Sequence, residues 1–217
     1  EERCAEYFLL GAKFTKWRAV IKIGDGIPTQ ECIDANMKVL ADYAKIVQDN
    51  KMVPMVEPEV LMDGEHSVQT CFDVTANCLK TLFSMLEVNG VNIKGTILKP
   101  NMVVSGTEAA VQANVQEVAE LTLKVLKENV PSDLAGIAFL SGGQSDLLAT
   151  EHLDAMNKIG GLPWPLSFSY GRALQQPALK AWMGQSINKE AAQKAFSHRA
   201  LMNRLASKGD WQRELEN

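Results

Sequence analysis

Five short apolar segments, each separated from the next by a helix-length amphipathic stretch, leave this chain few architectures to adopt. The segments are residues 14–23, 52–59, 95–101, 137–141 and 166–170. Each reads as apolar on both faces, the pattern of parallel strands covered by helices. Residues 29–50 carry Ile33, Met37, Leu40, Ala44 and Val47 at helical spacing, and residues 67–89 carry Val68, Cys71, Cys78, Leu82, Phe83 and Leu86. Asn89-Gly90 supplies a left-handed stop for the second of these helices. Residues 114–129 open on the cap pair Asn114 and Glu117 and turn Val118, Leu121 and Val125 inward. Residues 145–159 and 188–207 complete the set, with Gly209 closing the last. The landmarks Lys16, Glu57, Lys99 and Ser141 recur at intervals of 41, 42 and 42 residues, the period of a repeated β–α unit. Such alternation implies right-handed crossovers and one parallel sheet. An open doubly wound sheet and a closed (β/α)8 barrel both satisfy it.

At 217 residues, 46% of them hydrophobic, the chain can bury a core without staples and is too apolar to be mainly disordered. No linker divides it, so one domain is expected; residues 160–165, Gly-Gly-Leu-Pro-Trp-Pro, form a loop inside that domain. A net charge of -4 and a pI near 5.5 argue against a nucleic-acid platform. No run approaches the roughly 20 apolar residues that cross a bilayer, and Glu1-Glu2-Arg3-Cys4 lacks the layout of a signal peptide. Cys4, Cys32, Cys71 and Cys78 form no Cys-x-x-Cys, which fits reduced thiols in the cytoplasm; Cys71 and Cys78 belong on the apolar stripe of a helix. His66, His152 and His198 make no ligand pair of the spacing zinc needs, so a metal-independent chemistry is expected. His66, in a polar turn, reads as solvated, and the mixed-charge face of residues 188–217 as a solvated helix face.

The placement of charge on the strands is unusual. Lys16 and Arg18 are two apart and share one face of the first strand; Glu57 and Glu59 do the same on the second. Trp17, between the two cations, belongs on the other face, against a helix. Lys99 ends the third strand directly before Pro100. Charged side chains are rarely buried unless paired, and these recur late in the apolar segments, where parallel barrels place their active sites. Two readings of Lys99 stand. Desolvation beside other cations would lower its pKa and free an amine able to form a Schiff base. Alternatively, it snorkels to solvent or pairs with a Glu. Glu57 and Glu59 serve either as the acid and base such chemistry requires or as plain counter-ions. Leu140-Ser141-Gly142-Gly143 and Ser169-Tyr170-Gly171-Arg172 follow consecutive strands. They read as anion loops, with backbone N–H groups, a hydroxyl and a guanidinium as donors, or as ordinary glycine turns. Four cations against two anions make a cationic pocket in an acidic protein, suited to an anionic small substrate.

These same residues resemble a known family. Gly11-Ala12-Lys13-Phe14-Thr15-Lys16-Trp17-Arg18 is similar to the fourth-strand motif of class I fructose-bisphosphate aldolases, and Val56-Glu57-Pro58-Glu59-Val60 to their fifth strand. Leu98-Lys99-Pro100-Asn101-Met102 resembles the Schiff-base motif on strand six. Residues 139–145, Phe-Leu-Ser-Gly-Gly-Gln-Ser, resemble strand seven, and residues 167–174, Ser-Phe-Ser-Tyr-Gly-Arg-Ala-Leu, strand eight. Five motifs in family order span residues 11 to 174.

The resemblance implies a (β/α)8 TIM barrel of which this chain supplies about five β/α units, strands four to eight, with residues 1–217 forming the C-terminal portion of one barrel domain. It implies cleavage of fructose 1,6-bisphosphate to dihydroxyacetone phosphate and glyceraldehyde 3-phosphate, a step of glycolysis, without a metal or other cofactor. Lys99 matches the imine-forming lysine, Glu57 the acid/base of carbinolamine dehydration, Lys16 the lysine assisting proton transfer, and Glu59 a carboxylate of the same network. Ser141, Gly142, Gly171 and Arg172 match the groups holding the phosphate nearest the ketone, and Arg18 an arginine at the other phosphate. Sugar phosphates are the implied partners, in a cytoplasmic homo-oligomer, a tetramer or dimer, with no nucleic acid or membrane. Family members also carry a catalytic Asp on strand one and a substrate-binding Lys on strand three, neither within this sequence. The ending Trp211-Gln212-Arg213-Glu214-Leu215-Glu216-Asn217 resembles that of shorter bacterial members. Five strands cannot close an eight-stranded barrel, so the sequence is expected to be part of a longer polypeptide. A non-catalytic assembly module and another Schiff-base aldolase such as transaldolase are the alternatives.

Overall fold

Strand–helix alternation appears in three dimensions as one parallel sheet under a layer of helices. The computed structural model describes residues 1–216. A short helix α1 (Glu2–Leu9) precedes strand β1 (Phe14–Ile21). The chain then alternates through α2 (Gln30–Asp49), β2 (Val53–Val60), α3 (Val68–Val88), β3 (Ile97–Leu98) and α4 (Val115–Asn129). It continues with β4 (Gly136–Phe139), α5 (Asp146–Ile159), β5 (Leu166–Phe168), α6 (Arg172–Trp182) and α7 (Lys189–Ala206). The strands lie side by side in sequence order, every pair parallel. A doubly wound sheet reverses its strand order at a switch point; this sheet has none, and its sequential order is an arc of a (β/α)8 barrel. None of the helices is long and apolar enough to cross a membrane among the described residues.

Local chemistry sets the helix starts. Thr29, Ser67, Asn114 and Ser145 each accept a hydrogen bond from the backbone N–H three residues on, capping α2, α3, α4 and α5. The core lies between the helices and one face of the sheet, where Ile21, Val56, Leu98, Ile137 and Phe139 meet Leu40, Leu79, Leu82, Leu126 and Leu153. Cys71 and Cys78 are buried in that layer, and burial pushes their thiols up, Cys78 to about 12. Because strand side chains alternate, the residues next to Val56 and Leu98 turn to the opposite face, which puts Glu57 and Lys99 there together.

Four expectations need correction. β1 is not covered on both faces: of its eight residues only Ala19 and Ile21 are buried, because its outer edge has no neighbouring strand among the described residues. Trp17 does turn towards α2, its ring 5.9 Å from Tyr43, but remains 47% exposed. β3 is two residues long rather than seven. A 3-10 turn (Ile93–Gly95) precedes it, and Pro100, with no N–H to donate, follows directly after Lys99. The Lys99 N–H still reaches Val56 O at 2.8 Å, and the Asn101 carboxamide oxygen then stands in for a strand partner, accepting from Val60 N at 3.0 Å. Helix α6 was not anticipated, since Pro177 interrupts its pattern. His66 is not solvated: both ring nitrogens are shut from water without a partner, and burial lowers its basicity. It lies where the loop after β2 meets the loop after β3. Gly106 N, Thr107 N and Glu108 N donate to His66 O, Met62 O and Gly64 O at 2.8, 2.7 and 2.9 Å.

Candidate active site

The carboxyl ends of β2 and β3 place the two most informative side chains in contact. Lys99 Nζ donates to Glu57 Oε2 at 2.7 Å, and both side chains are buried. Of the two readings of Lys99, desolvation beside other cations or pairing with a Glu, the structure shows the pairing: the group against its amine is an anion. Asn101 holds the turn behind the lysine, donating to Thr75 Oγ1 at 3.1 Å and to Met102 O at 3.0 Å while it accepts from Val60. This fixes where the chain leaves β3, and so where Lys99 points. The backbone bond from Lys99 to Val56 and the Asn101–Val60 bond already join these strand ends; a buried ion pair beside them is weak evidence for stability, but it is a ready proton-transfer pair.

One strand further out, Arg18 reaches Glu59 at 3.0 Å, the guanidinium largely in solvent and the carboxylate buried. The register sets Arg18 opposite Glu57 and Lys16 opposite Met55, so Lys16 lies lower on the exposed edge strand. Among the described residues no ion pair joins Lys16 to Glu57 or Glu59.

The two glycine loops converge on one cavity of about 200 Å³. Ser141, buried, contributes from the loop after β4, and Arg172 from the first turn of α6. Gly142 and Gly143 take positive φ, the backbone that bends this loop back over the strand end. Gly171 is the N-cap of α6 and offers no side chain, so the first N–H groups of that helix are left without an internal acceptor. Gly142 and Gly171 border the loops rather than the cavity wall. Each loop is also held from beneath. Gln144 Oε1 accepts from buried His152 Nδ1 at 2.6 Å, and Tyr170 donates from its hydroxyl to Asn203 Oδ1 at 2.7 Å. Burial takes the His152 imidazole down to about 4 and pushes the Tyr170 hydroxyl up.

The sequence reading missed Gln176 and Lys180, which line the cavity with Arg172. Positions 172, 176 and 180 share one helix face; that spacing is readable only once Pro177 is accepted inside a helix. It also misjudged the last helix. Arg199 is buried, its guanidinium forked onto Glu216 with both bonds at 2.7 Å, so the charged face of residues 188–216 is partly internal. Asn217, the end of that face, lies outside the described residues.

An arc of a parallel α/β barrel with a lysine–carboxylate pair at its strand ends, together with a cavity lined by Ser141, Asp146, Arg172 and Lys180, defines the class of protein. A family model described as fructose-bisphosphate aldolase class-I matches residues 1–217, and the chain belongs to that family. It is 53% identical over 210 residues to a probable fructose-bisphosphate aldolase class 1 of Xanthomonas campestris pv. campestris, covering 96% of this chain and 63% of that protein. To fructose-bisphosphate aldolase B of Gallus gallus it is 49% identical, across 97% of this chain and 58% of the relative. A co-crystal structure of the Plasmodium falciparum aldolase with TRAP and a small-molecule inhibitor superposes with a TM-score of 0.95 at 44% identity, over 97% of this chain and 61% of that one. The chain thus spans about three-fifths of the length of the relatives it matches.

Proposed function

We propose that the protein containing this chain cleaves fructose 1,6-bisphosphate through an imine on Lys99. The observation that carries the reading is the buried 2.7 Å contact between Lys99 Nζ and Glu57 in a chain of the class I family. Passing the ammonium proton to Glu57 leaves a neutral amine that attacks the ketone carbon and a carboxylic acid beside the new carbinolamine. Glu57 then returns that proton to the departing hydroxyl, which leaves as water, and the iminium remaining on Lys99 accepts the electron pair when the carbon–carbon bond breaks, the adjacent hydroxyl giving its proton to the strand-one Asp that family members carry and becoming the aldehyde. Glu59 holds Arg18 at the mouth of the site, where the guanidinium meets the far phosphate, and Lys16 assists proton transfer from the edge strand. Ser141, Arg172 and the backbone N–H groups of Gly142 and Gly171 bind the phosphate nearest the ketone. No metal takes part in this sequence of steps.

Residues 1–217 form the C-terminal portion of one barrel domain, and three further strands of the family barrel pair with the outer edges of β1 and β5. The exposed Phe14, Trp17 and Val20 on β1 support that closure. The protein works in the cytoplasm as a homo-oligomer on sugar phosphates. Borohydride added with dihydroxyacetone phosphate should reduce a substrate adduct onto Lys99, read by peptide mass. An adduct on another residue, or activity abolished by EDTA, would overturn the reading.

A further inference from the structure

A chain of hydrogen bonds runs from the C-terminal segment to the loop that carries Arg172. Glu216 takes both forks of Arg199 at 2.7 Å and accepts from Trp211 Nε1 at 2.8 Å. The segment is tied down independently by Trp211 N on Asp154 Oδ1 at 3.0 Å and by Lys158 Nζ on Trp211 O at 3.1 Å. Arg199 Nη2 also donates to Thr150 Oγ1 at 3.0 Å. The single Thr150 proton reaches Asp146 O at 2.8 Å or Asn203 Oδ1 at 3.2 Å. Asn203, one turn along α7 from Arg199, accepts the Tyr170 hydroxyl. Tyr170 stacks tilted on Phe168, ring centres 4.3 Å apart, and immediately precedes Gly171 and Arg172.

We infer that Glu216 is a positioning residue for phosphate, setting the Gly171–Arg172 loop through Arg199, Thr150, Asn203 and Tyr170. The loop needs such an anchor. Gly171 gives it no side chain, α6 buries only Ala173, and Ser169 N on Phe139 O at 3.0 Å fixes its strand end alone. Without Glu216 the Arg199 guanidinium is buried with no counter-ion, since no other carboxylate pairs with it among the described residues. Removing one member of a buried pair is costly, so the α7 turn bearing Arg199 and Asn203 must adjust, and the acceptor of Tyr170 moves with it. Burial keeps the Tyr170 hydroxyl protonated and therefore a donor throughout the working pH range.

This inference rests on the proposed phosphate role of Arg172, and its test separates the two. In the complete protein, Glu216→Gln and Tyr170→Phe should each weaken inorganic phosphate binding, and raise KM for the bisphosphate, roughly three- to tenfold, with kcat within about twofold. The double variant should be no weaker than the worse single one, because both cut the same relay. Should Glu216→Gln fail to fold, Thr150→Val, which removes the hydroxyl that joins Arg199 to Asn203 with little change of volume, takes its place in the cycle. Unchanged phosphate affinity, or effects of the two variants that simply add, overturns the inference. Borohydride trapping on Lys99 in the unaltered protein reports separately: if it fails, the aldolase reading falls with its phosphate site, whereas trapping with unchanged phosphate affinity in the variants sinks the relay alone.

Discussion

The proposed roles put chemistry on Lys99 and Glu57 and phosphate binding on Arg172, and substitutions should separate the two. Lys99→Met is expected to abolish borohydride trapping while leaving phosphate affinity largely in place. Glu57→Gln keeps a hydrogen-bond partner for the lysine but removes the proton shuttle, and should slow imine formation roughly a hundredfold or more, as loss of a general acid/base does. Arg172→Ala should do the reverse: a charge-assisted phosphate contact is worth about 1.5–3 kcal/mol, so KM rises at least tenfold while the imine still forms. Steady-state kinetics beside single-turnover trapping would check all three, and an unchanged KM for Arg172→Ala would remove the phosphate assignment without touching Lys99. At this scale the sequence was informative where charge broke an apolar strand: Lys99 and Glu57 stood out because buried charges need partners, and they found each other. Its silence about Arg199 has the opposite cause. A cation on a helix already rich in charge looks solvated until the partner that buries it, Glu216, is folded back from 17 residues away.

Among the elements, strands and capped helices were legible to within a few residues because period and cap chemistry are local. β3 and α6 were not, because proline misled in both directions. Pro100 ends a strand that hydrophobicity alone would extend, while Pro177 is accommodated inside α6. The clamp between the loops after β2 and β3 could not be read at all, since it depends on two backbones meeting. Its tightest point is Gly106, where an added Cβ would sit 2.2 Å from Gly64 O. Because that oxygen is backbone, already accepting from Glu108 N, it has nowhere to go. Gly106→Ala should therefore destabilise by about 1–3 kcal/mol or more, seen as a lower urea midpoint; an unshifted midpoint would show that the clamp yields easily.

Taken whole, the molecule carries a buried base that ties its stability to acidity. His152 sits near 4 when folded, against 6.5 as a free imidazole, because burial disfavours its charged form. Between those values the unfolded chain holds a proton that the folded chain refuses. Stability is thus fully present above pH 6.5 and falls as pH drops towards 4, by on the order of 3 kcal/mol in total. Burial raises the Glu216 carboxyl, but Arg199 and Trp211 outweigh it and hold it below its ordinary value, so it adds a loss of the same sign further down in pH. Denaturant melts at pH 7 and 4.5 should show a smaller pH penalty for His152→Gln than for the parent; equal penalties would acquit the histidine. The architecture was visible in the sequence as a repeat of 41 or 42 residues, and five strands of an eight-stranded barrel already made β1 an edge; the burial of β1 on both faces was misjudged because residue type alone does not say which faces a neighbour covers. That same repeat has a consequence for quality control. Lys99 and its carboxylate partner Glu57 come from different β–α units and meet only when β2 and β3 align Met55 with Ile97 and Val56 with Leu98. A slip by one residue would present Val56 or Pro58 to the amine and send Glu57 into the oily layer. Under the proposed imine chemistry Lys99 is in effect a proofreader of strand alignment: a misregistered sheet can pass for native by circular dichroism, yet it leaves the amine facing hydrocarbon and should be found out by its failure to trap substrate.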